Sequence, residues 1–245
     1  MLYNGDCITA NKTEAAHYFK MGADNGDSEA MYDCVEMLFD GDGIPKNVKE
    51  SIKYFKMSAD NGDEKGMFKY VTLLYSGEGV QKNRKEAAKY FKISADKGFV
   101  QSMRNYGIMC WDGDGINVKG NESAKYFKMA ADKGDADSAN MHANILFFGE
   151  IFQMNKKEAS KYYKLATDKN VLNSIHNYAL MNDTGEGISV NKEEAAIYYK
   201  KGADLNDAGL TNNYAFCLYY GEGVQQNKKE AAVYFKKAAE LGSSL

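Results

Sequence analysis

The stretch that decides the fold is residues 77–98, GEGVQKNRKEAAKYFKISADKG, because similar copies of it recur along the chain. A Gly-x-Gly turn keeps the same register in five copies. A fixed period of this kind indicates a tandem array of one supersecondary unit. The aromatic pair returns every 36 residues without insertion or deletion, at Tyr18-Phe19, Tyr54-Phe55, Tyr90-Phe91, Tyr126-Phe127, Tyr162-Tyr163, Tyr198-Tyr199 and Tyr234-Phe235.

Each copy contains one helix, here called the B helix, whose two ends are visible in the sequence. In six copies an Asn is followed three residues later by a Glu, as in Asn11 and Glu14, which is the spacing of a capping box. Lys119 replaces the Asn in the remaining copy, so we expect that helix to begin raggedly. The other end falls on Gly or Asn, which tolerate the left-handed conformation, at residues 26, 62, 98, 134, 170, 206 and 242.

A second helix, the A helix, is predicted over about 28–40 and its equivalents. Its apolar residues recur at helical spacing, and in the first of these helices they are Met31, Cys34, Val35, Met37 and Leu38. Two helices of this length cannot bury their apolar faces alone. Successive helix pairs must therefore stack on one another.

These patterns together resemble the Sel-1-like repeat, a 36-residue relative of the tetratricopeptide repeat. The resemblance rests on Gly-x-Gly-[Ile/Val] followed by Glu-Ala-Ala-x-Tyr-Phe-Lys-x-x-Ala-Asp-x-Gly, and it covers residues 1–242. It implies an all-α fold, a right-handed α/α superhelix (TPR-like solenoid) of helix-turn-helix repeats. Gly149-Glu150-Ile151 departs from the pattern because the second turn glycine is lost. We expect the repeat that contains it to be the least regular, with altered curvature or raised mobility around 149–172.

Counted by the family convention, the chain should contain six full repeats and one partial repeat. Residues 1–26 would hold the end of one A helix, since Met1-Leu2-Tyr3 aligns with residues 37–39, and a complete B helix. No dedicated cap is recognisable at either end, which leaves open whether the array is longer. The full repeats are expected at 27–62, 63–98, 99–134, 135–170, 171–206 and 207–242, followed by a tail at 243–245.

Composition limits the classes of partner. The 31 basic and 34 acidic residues give a formal charge of −3, which argues against a nucleic-acid partner. No apolar run approaches the roughly 18 residues that a bilayer span needs, and the start MLYNGDCITANK lacks the features of a secretory signal. We therefore expect no membrane contact within this chain and a cytoplasmic location.

The residues that most often bind metals or form disulfides show no recurring arrangement. The four Cys lie at four different phases of the repeat, and no C-x-x-C motif occurs. The chain thus lacks the regular disulfides of some relatives, and free thiols in a reducing compartment are expected. His17, His142 and His176 also differ in phase, so we expect no metal and no cofactor.

One motif raises the question of catalysis. Some Sel-1-like proteins have been linked to β-lactam binding or hydrolysis, and Ser94-Ala95-Asp96-Lys97 fits the Ser-x-x-Lys string. Ser94, however, aligns with small residues that suit helix packing, among them Gly22 and Ala130. The chain is therefore expected not to be an enzyme. A row of Lys with an acidic residue four positions later, such as Lys92 and Asp96, is interpreted as a solvated, self-neutralised face.

The best candidates for recognition are the A-helix positions that vary between copies. The resemblance implies that these helices line a concave groove that binds peptides. We expect a protein or peptide partner, and we interpret the chain as a non-enzymatic scaffold or adaptor. An architectural spacer is the alternative, and a β-lactamase-like hydrolase is a remote one. The predicted groove residues are Tyr32, Phe68, Lys69, Arg104, Asn105, Ile108, Asn140, His176, Asn177 and Asn212.

Overall fold

The computed structural model describes residues 11–242, apart from the side chain of Ser28. These residues form thirteen α-helices, and no strand is found among them. The predicted all-α class is confirmed. Met1-Leu2-Tyr3, Cys7 and the tail 243–245 lie outside the described residues. The B helices are α1 (Lys12–Asp24), α3 (Val48–Asp60), α5 (Arg84–Asp96), α7 (Gly120–Asp132), α9 (Lys156–Thr167), α11 (Lys192–Asp204) and α13 (Lys228–Glu240). The A helices are α2 (Ser28–Asp40), α4 (Glu64–Ser76), α6 (Val100–Asp112), α8 (Ala136–Phe148), α10 (Leu172–Thr184) and α12 (Ala208–Tyr220).

The Asn–Glu caps of the B helices differ in one bond from the predicted capping box. The side-chain oxygen of Asn83 accepts the backbone N–H of Glu86 at 3.1 Å, as predicted. The Glu86 carboxylate accepts from the Asn83 side-chain amide at 2.9 Å rather than from the Asn83 backbone. That backbone N–H instead donates to the carbonyl of Leu74 at 2.9 Å. From Asn47 onward, each cap therefore also ties the start of a B helix to the end of the A helix before it.

The expected ragged start at Lys119 is wrong. Helix α7 begins at Gly120, in the same register as the other B helices. Lys119 replaces the missing Asn–Glu contact with an ion pair, its Nζ lying 3.0 Å from the Glu122 carboxylate. Its backbone N–H still donates to the Cys110 carbonyl at 2.8 Å, so the tie to the preceding helix is kept.

Two backbone features explain the repeated glycines. Each of the seven predicted helix-end positions has a positive φ, including Asn170 at 63° and Asn206 at 60°. The second turn glycine has a further constraint, because it packs on the start of an earlier B helix. A Cβ on Gly115 would lie 2.5 Å from the carbonyl carbon of Arg84. Only glycine satisfies both the left-handed conformation and this close approach.

The repeat around Ile151 is irregular, as expected. Ile151 replaces the second turn glycine and is not in the left-handed conformation that its glycine equivalents adopt. Helix α9 has 12 residues, whereas the other helices have 13. The raised mobility expected over 149–172 stays a prediction that hydrogen exchange can check.

The chain divides into two compact units, one ending at Tyr126 and the other beginning at Phe127. In the first unit, neighbouring helices from α1 to α6 pack against one another. In the second unit, neighbouring helices from α8 to α13 do the same. The predicted A-helix stripe is buried, with Met31, Cys34 and Val35 fully inaccessible. Consecutive helices therefore form the core of each unit.

Inside the first unit, B helices are joined by hydrogen bonds that link residues 30 positions apart. Tyr54 donates to Asp24 and Tyr90 donates to Asp60, each at 2.5 Å. Tyr126 donates to Asp96 in the same way. The acidic row is therefore more than a solvated face, because its carboxylates hold buried tyrosines of the following repeat.

The predicted Lys–Asp pairs do form, at Lys56–Asp60, Lys92–Asp96, Lys128–Asp132 and Lys200–Asp204. Two lysines of this row depart from the prediction. Lys20 contacts Glu50 at 2.5 Å, and Lys164 lies 3.7 Å from Glu194. These two lysines therefore bridge to the next B helix.

Candidate partner-binding site

A cavity of about 310 Å³ opens between the A helices α4 and α6 in the first unit. Two predicted groove residues, Asn105 and Ile108, lie on its wall. Its floor is Phe91 of α5, of which 6% is exposed. The remaining lining residues are Thr72, Tyr75 and Ser76 of α4 and Met109 of α6.

The Tyr75 side of the cavity is held in place by charged partners outside it. The Tyr75 hydroxyl donates to Asp114 at 2.7 Å, and the Arg84 guanidinium lies 5.0 Å from the centre of the Tyr75 ring. Arg84 also pairs with Asp114 at 2.5 Å. The hydrogen bond to Asp114, followed by burial, raises the pKa of Tyr75, so the hydroxyl stays a donor at neutral pH. The wall is therefore preorganised.

The residues that line the cavity are uncharged, and the nearest ion pair is self-neutralised. Two of the polar lining groups are satisfied within α4, because Thr72 donates to the Phe68 carbonyl and Ser76 to the Leu73 carbonyl. The side-chain amide of Asn105 forms no hydrogen bond with the part of the chain that the structure describes. The cavity thus combines an apolar interior with one available amide at its rim.

At two of the four equivalent positions of the second unit a tyrosine replaces the phenylalanine, whereas Phe127 and Phe235 keep it. Tyr163 takes the place of Phe91 and donates to Asn144 at 2.7 Å. Tyr199 does so in the next repeat and donates to Asp183 at 3.2 Å. At these two positions the floor therefore carries a bonded hydroxyl, whereas Phe91 leaves it apolar.

The other predicted groove residues of the first unit lie nearer the start of the A helices. Lys69 is exposed and pairs with Glu36 at 3.3 Å, and Lys65 lies 5.3 Å from the centre of the Tyr32 ring. Tyr32, Phe68 and Arg104 are half-buried, and the latter two do not line the cavity. The structure thus brings Asn105 and Ile108 together but leaves Phe68 and Arg104 beside the cavity.

In the second unit the prediction fails for Asn140. This residue is 8% exposed, and its side-chain oxygen accepts from Ser174 at 2.7 Å, so it joins α8 to α10 instead of facing a partner. His176 is exposed, and Asn177 and Asn212 are half-buried. The side-chain oxygen of Asn212 is buried and has no partner among the described residues.

The prediction missed Phe91 and Tyr75. Phe91 belongs to the recurring aromatic pair and is buried, and the pair by itself does not reveal the space above it. A signal existed in the aromatic pair, which changes from Tyr-Phe to Tyr-Tyr at residues 162–163 and 198–199. The consequence of that change depends on which side chains surround it, and these come from other helices.

Two larger grooves in the first unit, of about 570 and 500 Å³, do not have this character. They occupy equivalent positions of the repeat, one beside Lys92 and Ile116 and the other beside Lys20 and Ile44. Grooves that recur with the repeat follow from the packing of its turn. They are therefore weaker candidates than the cavity over Phe91.

The Ser-x-x-Lys string does not form a nucleophile–base pair. Ser94 is 1% exposed and shares a hydrogen bond of 2.7 Å with Ser102. Lys97 points to the Gly62 carbonyl at 3.3 Å. Ser94 therefore has the packing role that its alignment predicts.

The cysteines outside the undescribed start of the chain are buried and free. Burial raises the pKa of the Cys34 thiol to about 11, and it has the same effect on Cys217. Such thiols are protonated and unreactive at neutral pH. Among residues 11–242 no cluster of His, Cys, Asp and Glu could hold a metal ion. No helix in that range has both the length and the apolar character needed to cross a bilayer.

These features define an α-helical repeat protein with an apolar cavity between two of its A helices. The family profile described as Sel1 repeat matches residues 1–27, 28–63, 67–99, 100–135, 136–171, 173–207 and 211–243. The chain therefore belongs to the Sel1 repeat family, which generally mediates protein–protein interactions. No curated protein matches the chain.

Solved structures with the same fold agree with this assignment. The chain is 26% identical to c5321, a protective antigen of uropathogenic Escherichia coli with an SLR fold, at a TM-score of 0.80. This match covers 93% of the chain but only 49% of the antigen, so the chain spans about half of that protein's length. A Sel1 repeat protein from Oxalobacter formigenes is 23% identical at a TM-score of 0.68, covering 80% of this chain and 84% of that one.

Proposed function

We propose that the chain is a non-enzymatic scaffold or adaptor that binds a protein or peptide partner along the exposed side of its A helices. The observation that carries this proposal is the set of large apolar side chains exposed on these helices. Such side chains gain free energy when a partner covers them. They are Tyr75, Ile108, Phe148, Leu172, Leu180, Phe216, Tyr219 and Tyr220.

The aromatic cluster at the end of α12 supports the same interpretation for the second unit. The Phe216 and Tyr220 rings stack with centroids 6.2 Å apart, and Tyr219 meets Tyr220 edge-on at 5.0 Å. Aromatic side chains are typical anchors of protein interfaces. A spacer has no use for exposed rings, so the cluster favours a binding surface over the architectural alternative.

We keep the predicted partition into a partial repeat at 1–26 and six full repeats over 27–242 as part of this proposal. Each full repeat then contains one A helix and the B helix that follows it. A reducing compartment also remains part of the proposal, and the free thiols of Cys34, Cys110 and Cys217 are consistent with it.

The test is affinity capture from the native cell with the full chain and matched surface variants. Ile108→Asp and Leu180→Asp place a charge on the A helices, whereas Lys92→Ala and Lys128→Ala change the B helices. We expect a partner that is retained by the wild type and both lysine variants but lost from at least one aspartate variant. Loss confined to the lysine variants, with all four proteins folded, would place binding on the opposite surface and reject the proposal.

The predicted groove residues add a finer test. Phe68→Ala or Arg104→Ala is expected to weaken binding by about 1–3 kcal/mol, because aromatic and cationic anchors carry most interface energy. The measurement is the dissociation constant of the captured partner by titration calorimetry. Unchanged affinity in both variants would restrict the surface to the residues one turn further along the A helices.

A further inference from the structure

We infer that the cavity over Phe91 is an anchor site for one large apolar side chain, of the size of Leu, Met or Phe, presented by an extended peptide segment. This inference rests on the proposed function and adds the partner's chemistry and the place where it binds. It commits to a peptide segment rather than to a cofactor or a nucleic acid.

The lining of the cavity determines the kind of group that fits. Phe91 and Met109 form an apolar interior, and Ile108 and Tyr75 are about 40% exposed at its walls. Because Arg84 and Asp114 neutralise each other outside the wall, the cavity offers no partner for a charged group. Burying an unpaired charge there is unfavourable, so the occupant is uncharged and apolar.

The size of the cavity argues against a large ligand. At about 310 Å³ it lies at the lower limit of small-molecule sites, which span roughly 300–1,000 Å³. A single buried side chain fits such a volume, while the rest of a peptide would continue along the A helices. An aromatic or aliphatic residue seated in a pocket is the usual anchor of an interface.

Asn105 explains why the occupant is part of a peptide. Its amide offers one donor and one acceptor group at the rim of the cavity, which match the C=O and N–H of a peptide unit. The Thr72 and Ser76 hydroxyls are already bonded to α4 carbonyls. The anchor residue would therefore place its side chain over Phe91 and its main chain beside Asn105.

Two positions of the second unit lack the apolar floor of this site. Tyr163 places a hydroxyl, bonded to Asn144, where the side chain above Phe91 would sit, and Tyr199 does the same with Asp183. An apolar side chain therefore finds an apolar floor between α4 and α6 and not at the two Tyr-floored positions. The cavity would set the register of the bound segment.

The experiment selects peptides and then maps their position on the protein. A random 12-residue library displayed on phage is selected against the full 245-residue chain, and the affinity of selected peptides is measured by fluorescence anisotropy. Phe91→Tyr adds a hydroxyl to the floor, a change that the fold accepts at residues 163 and 199. Its matched control is Tyr163→Phe. Ile108→Asn alters the wall through an exposed side chain, and Leu180→Asn is its control.

We expect the selected peptides to share one Leu, Met or Phe and to bind Phe91→Tyr and Ile108→Asn about tenfold more weakly. Replacing the shared residue of the peptide by Ala should weaken its binding to the wild type by the same factor. The same replacement should weaken binding to Phe91→Tyr only slightly further. The two control variants should bind normally. If thermal melting shows that Phe91→Tyr is unfolded, Ile108→Asn replaces it, and its affinity for the original and the alanine peptide gives the same comparison.

Two results would overturn the inference, and they differ in what they say about the proposed function. Peptides that lose affinity in Leu180→Asn or Phe216→Asn but not in Ile108→Asn would reject the anchor site and leave the A-helix surface in place. Peptides that respond only to Lys92→Ala or Lys128→Ala, or a library that yields no binder, would count against both.

Discussion

Two helix pairs three repeats apart, α5–α6 and α11–α12, occupy the same positions of the repeat but bury different side chains. Where the two helices cross, the first pair has Ser94 bonded to Ser102, and the second has Gly202 beside Leu210. A Cβ on Gly202 would lie 2.1 Å from Leu210 Cδ1, so the missing side chain makes room for the larger one.

The tyrosines Tyr90 and Tyr198 of these B helices also make different contacts, although the residue types around them are the same. Tyr90 donates to Asp60 of the preceding B helix, whereas Lys164 contacts the Tyr198 hydroxyl. The reason lies in α9, which ends at Thr167 and leaves Asp168 as its C-cap rather than as its last helical residue. The residue changes at the helix crossing thus compensate each other, whereas the tyrosine contact changes with the helix end alone.

The largest expected effect is at the crossing of α11 and α12. Leu210 is fully buried, so Leu210→Ala should lower the free energy of unfolding by about 3 kcal/mol, from lost apolar burial and the cavity left behind. Gly202→Ala in the same protein should restore about 1 kcal/mol by filling part of that cavity. Urea unfolding of both variants measures this. If Gly202→Ala alone is harmless, the two side chains do not compete for the same space.

A smaller effect is expected for the tyrosine contacts between B helices. Burial and then the hydrogen bond to Asp60 raise the pKa of Tyr90, so its hydroxyl remains a donor at physiological pH. A double-mutant cycle with Tyr90→Phe and Asp60→Asn should give a coupling of about 1 kcal/mol. The cycle with Tyr198→Phe and Asp168→Asn should give a coupling near zero. Equal couplings would remove the distinction between the two regions.

The pH dependence of the second unit should depend on His142. It takes the place that Tyr106 and Tyr214 occupy in the compared pairs, is 4% exposed, and meets the Tyr162 ring edge-on at 4.7 Å. Burial, followed by the charge of Lys128, lowers its pKa from the ordinary 6.5, against the opposing charges of Glu158 and Asp132.

Because the unfolded chain then binds this proton more readily, stability contributed at His142 is complete above about pH 6.5 and decreases as the pH falls toward the folded pKa. The loss cannot exceed about 1.4 kcal/mol per pH unit for one proton. Urea midpoints between pH 7.5 and 5 should show this slope in the wild type and a reduced slope in His142→Tyr. Parallel profiles for the two proteins would contradict the assignment.

The smallest effect is expected for the exposed ion pairs that both regions share. Lys92 lies 2.8 Å from Asp96, and Lys200 lies 3.0 Å from Asp204. Replacing either lysine by Ala should lower the free energy of unfolding by about 0.5 kcal/mol or less, because solvent screens such pairs. Thermal melting checks both variants. A cost above that of the tyrosine contacts would mean that the lysine stems contribute to packing, as Lys92 does where it lies over the Tyr126 ring.

Contacts within a few residues of one another are visible in the sequence. The helix ends follow from the Asn–Glu spacing and the left-handed positions, and the 36-residue period indicates stacking. Residue types decide these features through bonds between neighbours, so no knowledge of distant partners is needed.

The candidate site depends on contacts that the period alone does not reveal. Phe91 has the same packing role as Tyr163, and the ring hydroxyl together with the side chains of the adjacent A helices determines whether space remains above it. Asn140 occupies a variable position like Asn105, yet it is buried and accepts a hydrogen bond from Ser174, 34 residues later. Such contacts form between helices that stacking brings together, and a difference of one hydroxyl is enough to open or fill the space between them.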